Sequence, residues 1–432
     1  MLLRDPVHGL VNFEGRDERI VEALLATREV QRLRRVRQLG LASLVYPGGE
    51  HSRFAHALGA AHVMVRLLAR MRARAHELPL EARLDREGED DAIAAALLHD
   101  LGHGPFSHLF EEVLPGAKHH EEWTAEVILD PSTDVHRALE GLSCGMAERV
   151  AGLLGGRHRL PYLARAVSGT FDVDRADYLL RDSHMTGVRY GLYDLDWLLE
   201  AFSFGQVSGE WVLAIEGRKG LPSVESFFLG RYYMYQQVYH HKATRAAESL
   251  VRALFARLAE LVRDGDAPAT LPEAIRAAAA GESIALGDYF DLDDATLLSS
   301  IDAWTRGEDA LLAELSMRVR ERRLPKTVPL PEGRPEVWRE ALCRATEVAT
   351  RAGLRGDLHV RLDVAADVPY EEPVDESPEG LWVLIRHRPM RRLGDASFLL
   401  HELRNKRIER PRLVVPGEIR DSVLSSIEEV LA

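Results

Sequence analysis

The residues best suited to chemistry lie in one stretch, Leu98-His99-Asp100-Leu101-Gly102-His103-Gly104-Pro105-Phe106-Ser107-His108, where an adjacent His-Asp pair is followed by two further histidines. The run Ala94, Ala95, Ala96, Leu97 and Leu98 predicts a helix packed on most sides, and Gly102, Gly104 and Pro105 end it at once. The imidazole and the carboxylate are therefore expected at a buried helix end. An unpaired neutral polar group there costs on the order of 2–7 kcal/mol and a charge costs more, so something must satisfy them. A divalent cation does this well, and the neighbouring histidines suit a phosphate. By itself a His-Asp pair is weak evidence, because a buried histidine bonded to a carboxylate is common in ordinary cores.

The elements that must position these groups read as mainly helical up to about Gly265. Phe54, Leu58, Ala61, Val65 and Leu68 recur at spacings of four and three, a helix stripe, and His56 lies off it. Asp172 can cap a helix running from Asp174 to Asp182, since Gly169 and Thr170 break the chain before it; Asp174, Tyr178 and Asp182 then share a face. Trp211 to Ile215 predicts a strand in a hairpin. One long helix is expected from about Ser223 to Arg263, aligning Arg231, Tyr235, Tyr239 and Lys242. Small helices are expected from Pro268 to about Ala352. After that Val360, Leu362 and Val364 alternate with polar residues, and Leu381 to Ile385 and Leu413 to Val415 are apolar runs, the first preceded by the acidic, Pro-rich loop Pro369 to Gly380.

At 432 residues and 46% hydrophobic content the chain has room for two domains, and no run is long enough to span a bilayer. The N-terminus lacks the basic segment, apolar core and cleavage site of a secretory signal, so the expected location is cytoplasmic. Cys144 and Cys343 are too few for a disulfide framework. A net charge of −13 argues against a general nucleic-acid coat, and nucleic acid is not an expected partner. Arg32, Arg34, Arg35 and Arg37 form a local basic run, which reads equally as a solvated helix face or an anion site.

His56 in Arg53-Phe54-Ala55-His56, the pair His99-Asp100, and Asp174 in Asp172-Val173-Asp174-Arg175 stand in the order His, His-Asp, Asp. On these residues the chain resembles the HD-domain metal-dependent phosphohydrolases, and among them the deoxynucleoside triphosphate triphosphohydrolases, over roughly residues 1–265. The resemblance implies a mainly α fold, an HD-domain helical core with a short β hairpin. The organisation expected is a core at 1–265, a helical extension at 266–352 and a small mixed α/β C-terminal element at 353–432.

It also implies one divalent ion on His56, His99, Asp100 and Asp174, with Mg accompanying the substrate phosphates. Two imidazoles and two carboxylates suit Fe, Mn, Zn or Mg and do not choose among them. The implied reaction is hydrolysis at the α-phosphorus of a deoxynucleoside triphosphate, dGTP being the favoured guess, giving a deoxynucleoside and inorganic triphosphate. A divalent ion makes water acidic enough to attack near neutral pH. His108 matches the general acid, with Glu111 to orient it, and His103 and His120 match contacts to the reacting phosphate. A histidine that merely caps the Gly-Pro turn is the plainer alternative for each.

Arg53, Arg175, Arg231 and Lys242 are the candidate partners of the triphosphate. Tyr178 and Asp182 match residues at the sugar and its 3′-hydroxyl, Leu39 and Tyr239 match the pair that crowds C2′, and Gln38 would sit near the base or the 3′-oxygen. Simple core packing is the ordinary fate of Leu39, Tyr178 and Tyr239. His240 departs from the Gln often found after the tyrosine, which leaves base preference open. Ala26 stands where nucleotide-activated relatives carry an acidic residue, so activity without GTP is expected. The resemblance further implies a homo-oligomer and no membrane association. An HD enzyme acting on another nucleotide or nucleic-acid phosphate ester, and a catalytically silent nucleotide-binding scaffold, stay open as alternatives. Retention of all four ligands with His103, His108 and His120 argues against the scaffold.

Overall fold

Helices carry the chain and three small sheets join some of its segments: the described residues form 22 α-helices and nine strands. The computed structural model describes residues 1–106, 108–114, 116–385 and 387–431, and of His108 only the backbone. No described helix is long and apolar enough to cross a membrane. Cys144 and Cys343 are unpaired and exposed.

The main core is built around the Arg53–Ala73, Arg86–Leu98 and Val173–Thr186 helices. Every residue from Asp91 to Leu98 is buried, so this helix is enclosed on all sides, as its alanine and leucine run predicts. The Arg53–Ala73 helix buries more than the expected stripe, with Ala57, Ala60, Met64 and Leu67 fully enclosed. Asp172 caps the Val173–Thr186 helix by accepting from Arg175 N at 2.8 Å. A second apolar cluster packs Leu250, Leu254 and Leu258 of the Lys242–Asp264 helix against Ile275, Tyr289 and Trp304.

The single helix expected from about Ser223 to Arg263 is two. The Gly217–Met234 helix passes into a π-helical segment, Tyr235–Tyr239, and His241 is extended and caps the Lys242–Asp264 helix by accepting from Ala243 N at 3.3 Å. Inserting wide π turns before the break rotates the second helix relative to the first, so Lys242 does not continue the line of Arg231, Tyr235 and Tyr239. Side-chain periodicity continues through such a break, which is why the sequence reads as one helix.

The sheets tie distant segments. β1 (Leu2–Asp5) pairs with β2 (Gly9–Asn12). β3 (Phe202–Val207) and β4 (Glu210–Glu216) make the expected hairpin. A three-stranded sheet orders β5 (Lys326–Pro329) and β6 (Arg361–Asp367) on either side of β9 (Ile408–Val415). It packs on the Pro335–Arg351 and Arg420–Leu431 helices through Val328, Ala341, Leu413 and Ile427. The apolar run at Leu381 contributes β7 (Trp382–Leu384), which pairs in parallel with β4 and antiparallel with β8 (Arg391–Arg392). The C-terminal residues therefore extend the hairpin sheet of the core as well as forming their own.

Arg32 of the basic run is buried. Its guanidinium donates to Leu292 O (3.0 and 2.7 Å) and to His103 O (2.8 Å), tying the turn after the His-Asp pair to the later helices. Arg35 pairs with Asp293, Arg37 with Glu50, and Arg34 lies over the Phe54 ring, so the run anchors local structure.

Candidate functional site

His56 sits in the first turn of the Arg53–Ala73 helix, His99 and Asp100 come directly after the last turn of the Arg86–Leu98 helix, and Asp174 lies in the first turn of the Val173–Thr186 helix. Three helix ends thus converge. His56 Nε2 is 3.1 Å from His99 Nε2, 3.0 Å from Asp174 Oδ1 and 3.8 Å from Asp100 Oδ2; His99 Nε2 is 3.4 Å from Asp174 Oδ1 and 3.5 Å from Asp100 Oδ1. Donors at right angles about an ion with bonds of about 2.1 Å stand roughly 3.0 Å apart, so the spacings among His56, His99 and Asp174 match one coordination shell, with Asp100 farther out.

The tautomers point the same way. His99 Nδ1 lies 2.9 Å from Ala96 O, which only accepts, and His56 Nδ1 lies 2.8 Å from Asp177 Oδ2. Each Nδ1 therefore carries a proton, which leaves the two Nε2 atoms, 3.1 Å apart, as the nitrogens that face each other. That contact is repulsive without a positive charge between them. The electrostatics agree: burial pushes the His56 imidazolium down, but Asp174 and Asp177 outweigh it and lift the pKa to about 10. Burial likewise opposes ionisation of Asp100 and Asp174, yet Arg53 and the histidines hold Asp100 well below the usual range, and His99 and His56 do the same for Asp174. His56, His99 and Asp174 lie close enough to hold one divalent cation, while Asp100 borders them and groups with His103 and His120.

A second ring of residues, absent from the sequence reading, sets the first. Asp177 accepts from both Arg181 Nε and Nη2 at 2.8 Å, and its Oδ1 lies 2.6 Å from His8 Nε2. Arg181 Nη1 donates to Asp5 Oδ2 at 2.7 Å. The β1–β2 hairpin thereby grips the carboxylate that orients His56. Gly59 makes room: a Cβ there would stand 1.9 Å from Asp177 Oδ1. The only hint in the sequence is the position of Asp177, three residues after Asp174 on one helix.

Arg53 donates to Asp100 Oδ2, and His103 Nδ1 lies 3.4 Å from Asp100 Oδ1. His103 packs on His120 with ring centroids 3.8 Å apart. Close approach of backbones allows this, since a Cβ on Gly102 would lie 2.1 Å from His120 O. Glu111 Oε2 is 3.1 Å from His120 Nδ1 and 3.6 Å from His119 Nδ1. Glu111 thus faces His119 and His120; the expectation that it orients His108 falls on a side chain outside the described residues.

These groups open into a cavity of about 430 Å³ lined by Gln38, Leu39, Arg53, Asp100, His103, His120, Asp174, Tyr178, Asp182 and Tyr239 among the expected residues. Tyr239 donates to Asp182 Oδ2 at 2.7 Å, and His51 Nε2 lies 2.8 Å from Asp182 Oδ1. The Tyr178 ring meets both the His56 ring (6.4 Å) and the Tyr239 ring (6.3 Å) edge-on. Arg175, Arg231 and Lys242 are not among the lining residues. Arg175 bonds Asp172, and Arg231 donates to Val368 O (2.9 Å), Pro369 O (2.5 Å) and Asp367 Oδ1 (3.2 Å). Lys242 lines a different cavity, with Arg410 and Arg420, as the broken helix requires. In their place Thr244, Arg245, Glu248 and Arg252 face the cavity from the Lys242–Asp264 helix.

Comparison with known proteins places this geometry. Residues 53–182 match the family model described as HD domain, and residues 194–432 match that described as HD associated region. The Bacillus subtilis protein named Uncharacterized protein YwfO is 34% identical over 353 residues, 82% of this chain and 77% of its own length. Deoxynucleoside triphosphate triphosphohydrolase SAMHD1 of Homo sapiens is 27% identical over 287 residues, 59% of this chain and 44% of that protein. Its Dictyostelium discoideum homolog is 30% identical over 276 residues, 61% and 51% respectively, so the match spans about half the length of these two relatives. A solved phosphohydrolase from Bacteroides thetaiotaomicron superposes with a TM-score of 0.78 at 25% identity, covering 96% of this chain and 99% of that one. With both models matched in succession, the chain belongs to the HD-domain phosphohydrolases that carry the HD associated region.

Proposed function

We propose that this protein hydrolyses deoxynucleoside triphosphates to the deoxynucleoside and inorganic triphosphate. The observation that carries this reading is a single cavity in which Asp100 and Asp174, the latter grouped with His56 and His99, face the Tyr178, Asp182, Tyr239 and Leu39 wall. Its volume falls in the range of small-molecule sites, about 300–1,000 Å³. Two relatives bearing the name deoxynucleoside triphosphate triphosphohydrolase support the same substrate class.

In this reading His56, His99, Asp100 and Asp174 hold one divalent ion, drawn from Fe, Mn, Zn or Mg, which supplies Lewis acidity to the phosphate and to water. Arg53, beside Asp100, and the stacked His103 and His120 present N–H donors to the α-phosphate, where charge develops. Glu111 fixes the ring of His120. His108 returns a proton to the leaving 5′-oxygen. Asp182, held by His51 and Tyr239, accepts the 3′-hydroxyl, and Tyr239 with Leu39 leaves no room for a 2′-hydroxyl. Arg175 and Arg231 must exchange their present partners to reach a triphosphate, and Lys242 does not serve it. A homo-oligomer working in the cytoplasm completes the proposal.

The test is to offer the purified protein, with Mn or Fe, each dNTP and NTP separately and to resolve the products. Triphosphate and deoxynucleoside are expected. Pyrophosphate or monophosphate as the primary product, or equal turnover of ribonucleotides, overturns the reading.

A further inference from the structure

The far wall of the cavity is built differently from the metal end. Next to Tyr239 stands His240, whose carbonyl accepts from Arg412 Nη2 at 3.1 Å. Arg412 Nε lies 3.3 Å from Asp363 Oδ2 of β6, and the other oxygen of Asp363 accepts from Arg245 Nε (3.0 Å) and Nη2 (2.5 Å). Arg245 Nη1 donates to Glu248 Oε2 at 2.7 Å, and Arg252 pairs with Glu112. Thr244, Arg245, Glu248, Arg252 and Glu112 all line the cavity, but Asp363 and Arg412 stand behind them. The sheet of β5, β6 and β9 thus backs the site through Asp363, which fixes Arg245 in place.

This wall does not suit a phosphate. Arg245, Arg252 and Arg412 are matched by Glu248, Glu112 and Asp363, so its formal charges cancel. It offers instead a fixed alternation of donors and acceptors. A guanidinium has five N–H donors, and these contacts use three of Arg245's, while Glu248 keeps most of its acceptor capacity. Thr244 gives an independent sign of a missing ligand: it is 3% exposed, lines the cavity, and its Oγ1 has no hydrogen-bond partner among the described residues.

We propose that Thr244, Arg245 and Glu248 form the base-reading subsite and that the base they fit is guanine. The proposal rests on the reading of the substrate as a deoxynucleoside triphosphate. Guanine presents adjacent acceptors, O6 and N7, and adjacent donors, N1–H and the 2-amino group; Arg meets the former bidentately and a carboxylate the latter. Adenine, cytosine and thymine each lack one half of that pattern, so each leaves Arg245 or Glu248 without its partner. Leu39, Leu41 and Val238 line the same cavity and supply apolar surface for the ring faces.

The decisive probe is dITP, which keeps O6, N7 and N1–H but lacks the 2-amino group. Wild-type protein is expected to prefer dGTP among the four dNTPs and to lose about tenfold in kcat/KM with dITP, the cost of leaving a half-buried carboxylate acceptor unused. Glu248→Gln is expected to collapse the dGTP-to-dITP ratio toward one, a selectivity change that a general loss of stability does not produce. Equal kcat/KM for dGTP and dITP in the wild type, which needs no variant to fold, overturns the subsite. An unchanged ratio in Glu248→Gln does the same. Release of triphosphate from all dNTPs at equal rates overturns this inference and spares the substrate class. Failure to release triphosphate from any dNTP overturns the proposed function and the subsite together.

Discussion

Asp174 and Asp177, one helical turn apart, grip the two nitrogens of a single imidazole: Asp174 Oδ1 lies 3.0 Å from His56 Nε2 and Asp177 Oδ2 lies 2.8 Å from His56 Nδ1. One carboxylate completes the metal shell and the other holds the ring that serves it. Asp177→Asn keeps the size and loses the charge. A fall in metal affinity of about tenfold or more, read by calorimetric titration with retained helical circular dichroism, is the expected outcome. Unchanged affinity would show that the second ring of residues is only structural.

Asp174→Ala removes a ligand from the shell itself. Metal content and hydrolysis are expected to disappear together, because the Asp172 cap and the buried face of that helix remain. Full activity in the variant would remove Asp174 from the site.

Glu111→Gln tests the histidine pair. With Glu111 no longer an anion, His120 loses the partner that fixes its ring, and kcat is expected to fall on the order of 10²-fold while metal content stays constant. His108→Ala is expected to fall further, on the order of 10²–10⁴-fold, as general-acid losses do. An unaltered kcat in either variant, measured at saturating substrate, rejects its role.

Tyr239→Ala should relax the sugar requirement, since the phenol that bonds Asp182 and is proposed to crowd C2′ is gone. The dGTP-to-GTP ratio of kcat/KM is expected to drop by about tenfold. A ratio equal to that of the wild type excludes crowding at C2′.

His62 gives a prediction away from the chemistry. It packs beside His8 and Phe13, and burial, with His8 and Arg66 nearby, pushes its pKa from 6.5 down to about 4. The unfolded chain takes up this proton as pH falls through 6.5, but the folded chain resists until about 4. Stability from this group is therefore present above 6.5 and is lost as pH falls toward 4, with a slope of about one proton. Melting temperatures recorded across this window should fall, and His62→Phe should flatten the slope; an identical slope in the variant dismisses His62 as its source.

The sequence by itself determined the candidate metal ligands and the local helices that carry them. His56, His99, Asp100 and Asp174 were legible because their order resembles the HD-domain pattern, and the Asp172 cap and the alanine run set the local helices. Tertiary structure alone decided what surrounds them. His8 meets Asp177 across 169 residues of chain, Arg245 meets Asp363 across 118, and β7 joins the hairpin from Trp382. No local pattern encodes such pairs, since an exposed arginine and one aimed into a cavity have the same periodicity on a helix. The break at His240 and His241, invisible in the apolar pattern, is what withdrew Lys242 from the site and turned the face of Arg245 and Glu248 toward it.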